Sequence, residues 1–209
     1  MAASPQVARV PVEVYLRTSY EPDAEYVDGV IEERSIGEWS HADWQAAILD
    51  FFRSRRVLWK IRAGAELRVQ VAPNRFRVPD VVVMDRSQPV EQIVTLPPIA
   101  VIEILSPEDS HSRLMIKLAE YDRMGIRTIV VIDPSTSDHR RYRGGVLEPL
   151  PRDPFDLPGS QCRFDLGEIE KLLDCSDQPF ARSVRLRLNH HQPNPAAANP
   201  STISMPRSA

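Results

Sequence analysis

Residues 99–133 hold an apolar run, a helix-like stretch and a second apolar run, and no other feature constrains the fold as strongly. The first run, Ile99-Ala100-Val101-Ile102-Glu103-Ile104-Leu105, is stopped by Ser106-Pro107. A helix is predicted over residues 110–124, closed by Gly125, and residues 127–133 read as another apolar strand ahead of Pro134. Strand, helix, strand implies a right-handed crossover and a parallel strand pair. Glu103 lies in the middle of this apolar segment. An ionised carboxylate there is costly unless a cation, a metal or hydrogen bonds compensate it. A second carboxylate, Asp80, sits in Val78-Pro79-Asp80-Val81-Val82-Val83, part of a strand predicted over residues 75–84.

The remaining elements suit a mixed sheet with helices on its faces. A short helix or entry segment is expected over residues 10–20, and a hairpin over residues 25–32 around Asp28-Gly29. Ser40 is a suitable N-cap for a helix over residues 41–55, in which Trp44, Ile48, Phe51 and Phe52 recur at helical spacing. Further strands are predicted over residues 58–63 and 66–72, the latter turning through Pro73-Asn74 into residues 75–84. A hairpin through Gly144-Gly145 and a last helix over residues 166–173, capped by Asp165, complete the pattern.

The 209 residues allow one substantial domain, predicted over residues 10–176 after an extension of residues 1–9. From residue 177 the chain turns rich in Pro, Asn, Ala and Ser, and a disordered tail is expected. Net charge is −3, and the four arginines beyond residue 177 meet no acid, so the acidic balance belongs to the body. Such a body argues mildly against a surface built for non-specific DNA binding, but leaves room for a local basic groove. No apolar stretch reaches membrane-spanning length and no secretory h-region is visible, so a cytoplasmic protein is expected. Cys162 and Cys175 lack metal-ligand spacing. Ser106 lacks a nucleophile elbow, and no Gly-rich phosphate loop is present.

Alternation along the strand puts Val101, Glu103 and Leu105 on one face. If the two strands pair in suitable register, Asp80 shares that face, and two such carboxylates suffice for a hard divalent cation. Lys117 falls in the stripe of Leu114, Tyr121 and Met124 on the helix over residues 110–124, which turns it toward the sheet. Two carboxylates and a lysine suit phosphodiester hydrolysis.

The ordered set Arg77-Val78-Pro79-Asp80-Val81, Val101-Ile102-Glu103-Ile104-Leu105-Ser106-Pro107, Lys117, Tyr121, Gly125 and Val130-Val131-Ile132-Asp133-Pro134 resembles the Uma-type family of proposed restriction endonucleases. That family belongs to the PD-(D/E)XK nuclease superfamily, and the resemblance covers about residues 10–174. It implies an α/β (α+β) restriction-endonuclease-like fold, a mixed β-sheet flanked by α-helices. It further implies Asp80 and Glu103 as metal ligands, Mg²⁺ (or Mn²⁺) as the cofactor, DNA as the substrate, and a homodimer. The superfamily pattern keeps a lysine two residues after the acidic residue, where this chain has Leu105, so the resemblance makes Lys117 the substitute and adds Glu25 as a further acidic residue that positions water.

Each residue also has a structural reading. Asp80 could bond only to nearby backbone after Pro79, Glu103 could pair with Arg62 or Arg68, and Lys117 could be a boundary lysine with its ammonium in water. His41 reads as a first-turn surface histidine rather than a phosphate contact, and Asp133 as turn chemistry. The expected function is a Mg²⁺-dependent endonuclease; the alternative is a catalytically inactive nuclease fold kept as a DNA- or protein-binding module. Converging carboxylates beside Lys117 favour the first. An arginine set between them favours the second.

Overall fold

The computed structural model describes residues 9–21, 23–34 and 38–177. The chain divides into a body, residues 1–173, and a second unit, residues 174–209, of which only the end of the last helix is described. The tail predicted to be disordered, and His190-His191 within it, lie outside the described residues.

In chain order the elements begin with α1 (Val12–Arg17), the hairpin β1 (Ala24–Val27) and β2 (Val30–Glu33), and the long helix α2 (Trp39–Ser54). Next come β3 (Ile61–Ala65), β4 (Val69–Ala72), β5 (Arg75–Arg77), β6 (Val81–Asp85), β7 (Ala100–Ile104), α3 (His111–Met124) and β8 (Thr128–Ile132). The hairpins β9 (Arg140–Arg143) with β10 (Val146–Pro149) and β11 (Phe155–Asp156) with β12 (Arg163–Phe164) precede α4 (Leu166–Asp177). Fold class, crossover and most boundaries agree with the sequence. The β11–β12 pair is the one hairpin it did not signal, because each strand has two residues and no alternation to read.

Strands β10-β9-β8-β7-β6-β3 form a six-stranded sheet in which β7 and β8 are parallel and every other pair is antiparallel. A second sheet runs β2-β1-β5-β4. The side of the large sheet that carries Val81, Val83, Ile102, Ile104, Val130 and Ile132 packs on Ile48, Phe51 and Phe52 of α2. The other side, with Val101, Ile129 and Val131, packs on Leu114, Leu118 and Tyr121 of α3. Fully burying each of these side chains contributes roughly 1.5–3 kcal/mol, so both faces of the sheet add substantially to stability.

Several predicted boundaries are corrected; the strands predicted over residues 58–63 and 66–72 are Ile61–Ala65 and Val69–Ala72, the first starting only after a turn over residues 55–60. The single strand predicted over residues 75–84 is two strands in different sheets, with β5 in the smaller and β6 in the larger. Pro79 removes the N–H that a continuous ladder would need, and Val78-Pro79-Asp80 carries the chain from one sheet to the other. Helix α2 starts earlier than Ser40, with Glu38 at its N-cap position. The end of α3 follows prediction: Gly125, at φ 96°, adopts the left-handed conformation, and its N–H bonds to the carbonyls of Tyr121 and Asp122.

Candidate active site

Asp80 lies in the break between β5 and β6, one residue before the registered pair Val81–Ile102, while Glu103 is the fourth residue of β7. The pleat turns Ile102 and Ile104 toward α2 and leaves Glu103 on the α3 side. Both carboxylates are buried and line one cleft of about 90 Å³, together with Glu25, Arg34, His41 and Lys117.

Each of the two carboxylates uses one oxygen for positioning and turns the other to a cation. The Ile104 N–H donates to Asp80 Oδ2 at 2.6 Å, while Asp80 Oδ1 pairs with the Arg34 guanidinium and lies 3.2 Å from His41 Nε2. The Tyr121 hydroxyl donates to Glu103 Oε1 at 2.7 Å, and Lys117 Nζ lies 3.1 Å from Glu103 Oε2. The same ammonium is 3.0 Å from Glu25 Oε1. Glu25 Oε1 also accepts the Val78 N–H at 3.1 Å, and Glu25 Oε2 accepts from Arg77 Nη1 at 2.7 Å.

The structure therefore brings together the four residues expected from sequence, and it supplies partners that were not expected. Arg62 and Arg68, considered as partners of Glu103, bond instead to the carbonyls of Gln88 and of Leu16 and Thr18. Lys117 is not a boundary residue, since its ammonium sits between two buried carboxylates. His41 is buried against Asp80 rather than exposed. A signal for it existed: His41 and Gln45 continue the Ile48–Phe52 stripe of α2 by one more turn, and the Gln45 amide donates to the Asp80 carbonyl at 3.1 Å. Arg34 had no such signal, because its partner is distant in sequence. Asp133 is turn chemistry as read, with its carboxylate accepting from Ser135 and Thr136.

Charge state follows from these contacts. Burial pushes the Asp80 carboxyl up, but the His41 hydrogen bond and the Arg34 charge overcome it and hold Asp80 below its ordinary value. Glu25 behaves likewise: burial opposes ionisation, and Lys117 and Arg77 prevail. Glu103 goes the other way. Burial is the main cause, Asp80 and Glu25 add repulsion, and Lys117, shared with Glu25, only partly offsets them, so Glu103 is raised to about 7. Lys117 loses solvation on burial, yet the carboxylates around it keep it charged. The His41 imidazolium is favoured, first by its hydrogen bond to Asp80 and against the cost of burial.

These directions set a pH dependence for the metal-free protein. Between its ordinary 4.5 and about 7 the folded chain holds a Glu103 proton that the unfolded chain has released, so stability falls as pH rises through that window. His41, raised in the fold, contributes stability below its ordinary 6.5 and loses it at higher pH. Asp80 and Glu25, both lowered, contribute stability that is lost only on acidification. Urea denaturation should therefore give a higher midpoint near about pH 5.5 than near about pH 8, with a flatter decline in Glu103→Gln. Equal slopes for the two proteins would contradict the assignment.

Among the described residues, no group of three or more His, Cys, Asp or Glu side chains is placed to hold a metal ion. The Asp80–Glu103 pair nevertheless fits a hard divalent cation, since Mg²⁺ takes one or two carboxylates and completes its shell with water and substrate oxygens. The wider cleft agrees, with seven carboxylates lining it against two arginines besides Arg34, one lysine and Arg34 itself. Phosphate would be repelled from so acidic a cleft without an added cation.

A family model described as "Putative restriction endonuclease", Uma2, matches residues 12–158. The chain belongs to the Uma2 family. Among solved structures, one described as a "putative nuclease belonging to DUF820", from Anabaena variabilis ATCC 29413, shares 22% identity with this Uma2 protein. The match covers 78% of this chain and 97% of that one, with a TM-score of 0.65, and shows a common fold. No curated protein matches the chain. Among its described residues no helix is long and apolar enough to cross a membrane.

Proposed function

We propose that this Uma2 protein is a Mg²⁺-dependent endonuclease, with Mn²⁺ able to replace Mg²⁺, that hydrolyses DNA phosphodiester bonds. Asp80 and Glu103 are its metal ligands, Lys117 its transition-state cation, and Glu25 the carboxylate that holds Lys117 in place. The observation that supports this reading is the shared cleft: Asp80 and Glu103 both line it, with the Lys117 ammonium 3.1 Å from Glu103. A bound divalent ion would supply Lewis-acid polarisation of the scissile phosphate and an activated water.

The protein's own groups do the remainder. The Ile104 N–H and the Tyr121 hydroxyl hold the two carboxylates in fixed orientations, so little reorganisation is needed when charge develops. Lys117, kept charged and held by Glu25, would stabilise the negative charge that develops on the phosphoryl oxygens. Lys117→Ala should lower the cleavage rate by about 10²–10³-fold, the range for removal of one preorganised charge-stabilising donor. Single-turnover rates at saturating DNA would measure it, and a loss confined to KM would point to a binding role only.

The deciding assay is nicking of supercoiled plasmid with Mg²⁺ or Mn²⁺, by the wild type and by Asp80→Ala. The Arg34–Asp80 ion pair favours a second reading, a nuclease fold that binds DNA or protein without cutting. It predicts no metal-dependent nicking by the wild type and partner binding that survives Asp80→Ala.

A further inference from the structure

We infer that Arg34 is a resident counter-cation that a divalent ion has to displace from Asp80, with Glu66 as the carboxylate to which its guanidinium withdraws. The inference rests on the metal-dependent reading of the site, and adds a residue that sets metal affinity without being a ligand.

Asp80 Oδ2 accepts the Ile104 N–H, whereas both cationic neighbours, Arg34 Nη2 and His41 Nε2, meet Oδ1, so Oδ1 is the oxygen at which a divalent ion would compete with Arg34. A guanidinium and a dication on the same carboxylate oxygen repel each other strongly in a buried cleft. His41 also contacts Oδ1, but an imidazole can give up its proton and leave as a neutral neighbour. Arginine cannot; it stays charged, so it must move.

The structure contains a place for it to go. The other arm of the fork, Arg34 Nη1, lies 3.2 Å from Glu66 Oε1. The Asp80 side chain is 2% exposed and that of Glu66 is 45%, so the guanidinium bridges a buried carboxylate and a solvated one. The Glu66 N–H faces the Asp80 carbonyl at 3.4 Å, which keeps the second carboxylate beside the first. Losing Asp80 while keeping Glu66 moves the positive charge outward without leaving it unpaired.

The test is Mn²⁺ binding by titration calorimetry on the full chain, read without DNA or turnover. Arg34→Ala should tighten Mn²⁺ binding about tenfold or more, the weight of one charge-assisted contact. Arg34→Lys, which keeps the charge, should stay near wild type. Glu66→Gln should weaken binding, because the arginine loses its alternative partner. Far-UV circular dichroism of each variant verifies folding, and Arg34→Lys and Glu66→Gln leave the test open should Arg34→Ala fail to fold. The proposal is overturned if Arg34→Ala binds no tighter than wild type, or if Glu66→Gln binds tighter. In that case, loss of Mn²⁺ binding in Asp80→Ala would leave the metal site standing. If neither wild type nor Arg34→Ala binds Mn²⁺, the metal reading and this inference fall together.

Discussion

Asp80→Ala should reduce metal-dependent nicking of supercoiled plasmid by on the order of 10³-fold or more. If Asp80 and Glu103 are the two ligands, as proposed, losing Asp80 leaves Glu103 as the sole ligand carboxylate. Metal-ion stabilisation of a phosphoryl transition state is worth several kcal/mol, and each 1.36 kcal/mol is about tenfold in rate. The substitution also leaves Arg34 and His41 facing a cleft without their carboxylate, so folding has to be verified beside activity. Asp80→Asn is the better-matched control. It keeps the volume and a carbonyl oxygen for the Ile104 N–H, yet removes the charge that holds a cation. Equal loss in both variants, with unchanged melting temperature for Asp80→Asn, would assign the effect to charge. Nicking that survives Asp80→Asn at near wild-type rate would end the proposed mechanism.

The largest stability effect should come from Arg77. Its Nε donates to Glu120 Oε2 at 2.6 Å, and its Nη1 reaches Glu25 Oε2 at 2.7 Å and Glu32 Oε2 at 3.2 Å. The side chains of Arg77, Glu120 and Glu25 are each at most 6% exposed. Arg77→Ala should therefore cost about 3 kcal/mol, because it leaves Glu120 Oε2 and Glu25 Oε2 buried without their cation, while Arg75 and Lys117 still pair with the other oxygen of each carboxylate. Denaturant titration would measure it, and a loss below about 1 kcal/mol would mean that water solvates the network. The double variant Arg77→Ala/Glu120→Ala should cost less than the sum of its parts, since both changes remove the same Arg77–Glu120 contact. The network also bears on the site. Glu120 and Lys117 are three residues apart on α3; Arg77 pairs with Glu120 and also with Glu25, the partner of Lys117, so Arg77 helps to hold the helix that presents Lys117.

How much of this was legible depends on the range of the interaction concerned. The Glu103 face could be read because strand alternation is a property of the backbone, and Lys117 because helical periodicity places it beside Leu114 and Tyr121 whatever the helix packs on. The end of α3 could be read from Gly125, since capping is local. Reading residues 75–84 as one strand failed because both halves have strand composition, and only the pairing of β5 with β1 and β4, and of β6 with β3 and β7, separates them. His41 was misread although its stripe was visible, because composition favours a surface histidine and nothing local reveals a carboxylate above it.

The sequence by itself determined the parallel crossover, the two helical faces, and the placing of Glu103 and Lys117 toward one another, since periodicity and caps act within a few residues. The tertiary structure alone decided that Arg34 and His41 meet Asp80, that Lys117 is shared by Glu103 and Glu25, and that Arg77 ties Glu120 to Glu25. Arg34 and Asp80 are 46 residues apart, and Arg77 and Glu120 are 43 apart. Charges attract through space, and which ones become neighbours is set by sheet order and by the break at Val78-Pro79-Asp80, neither of which a local pattern encodes.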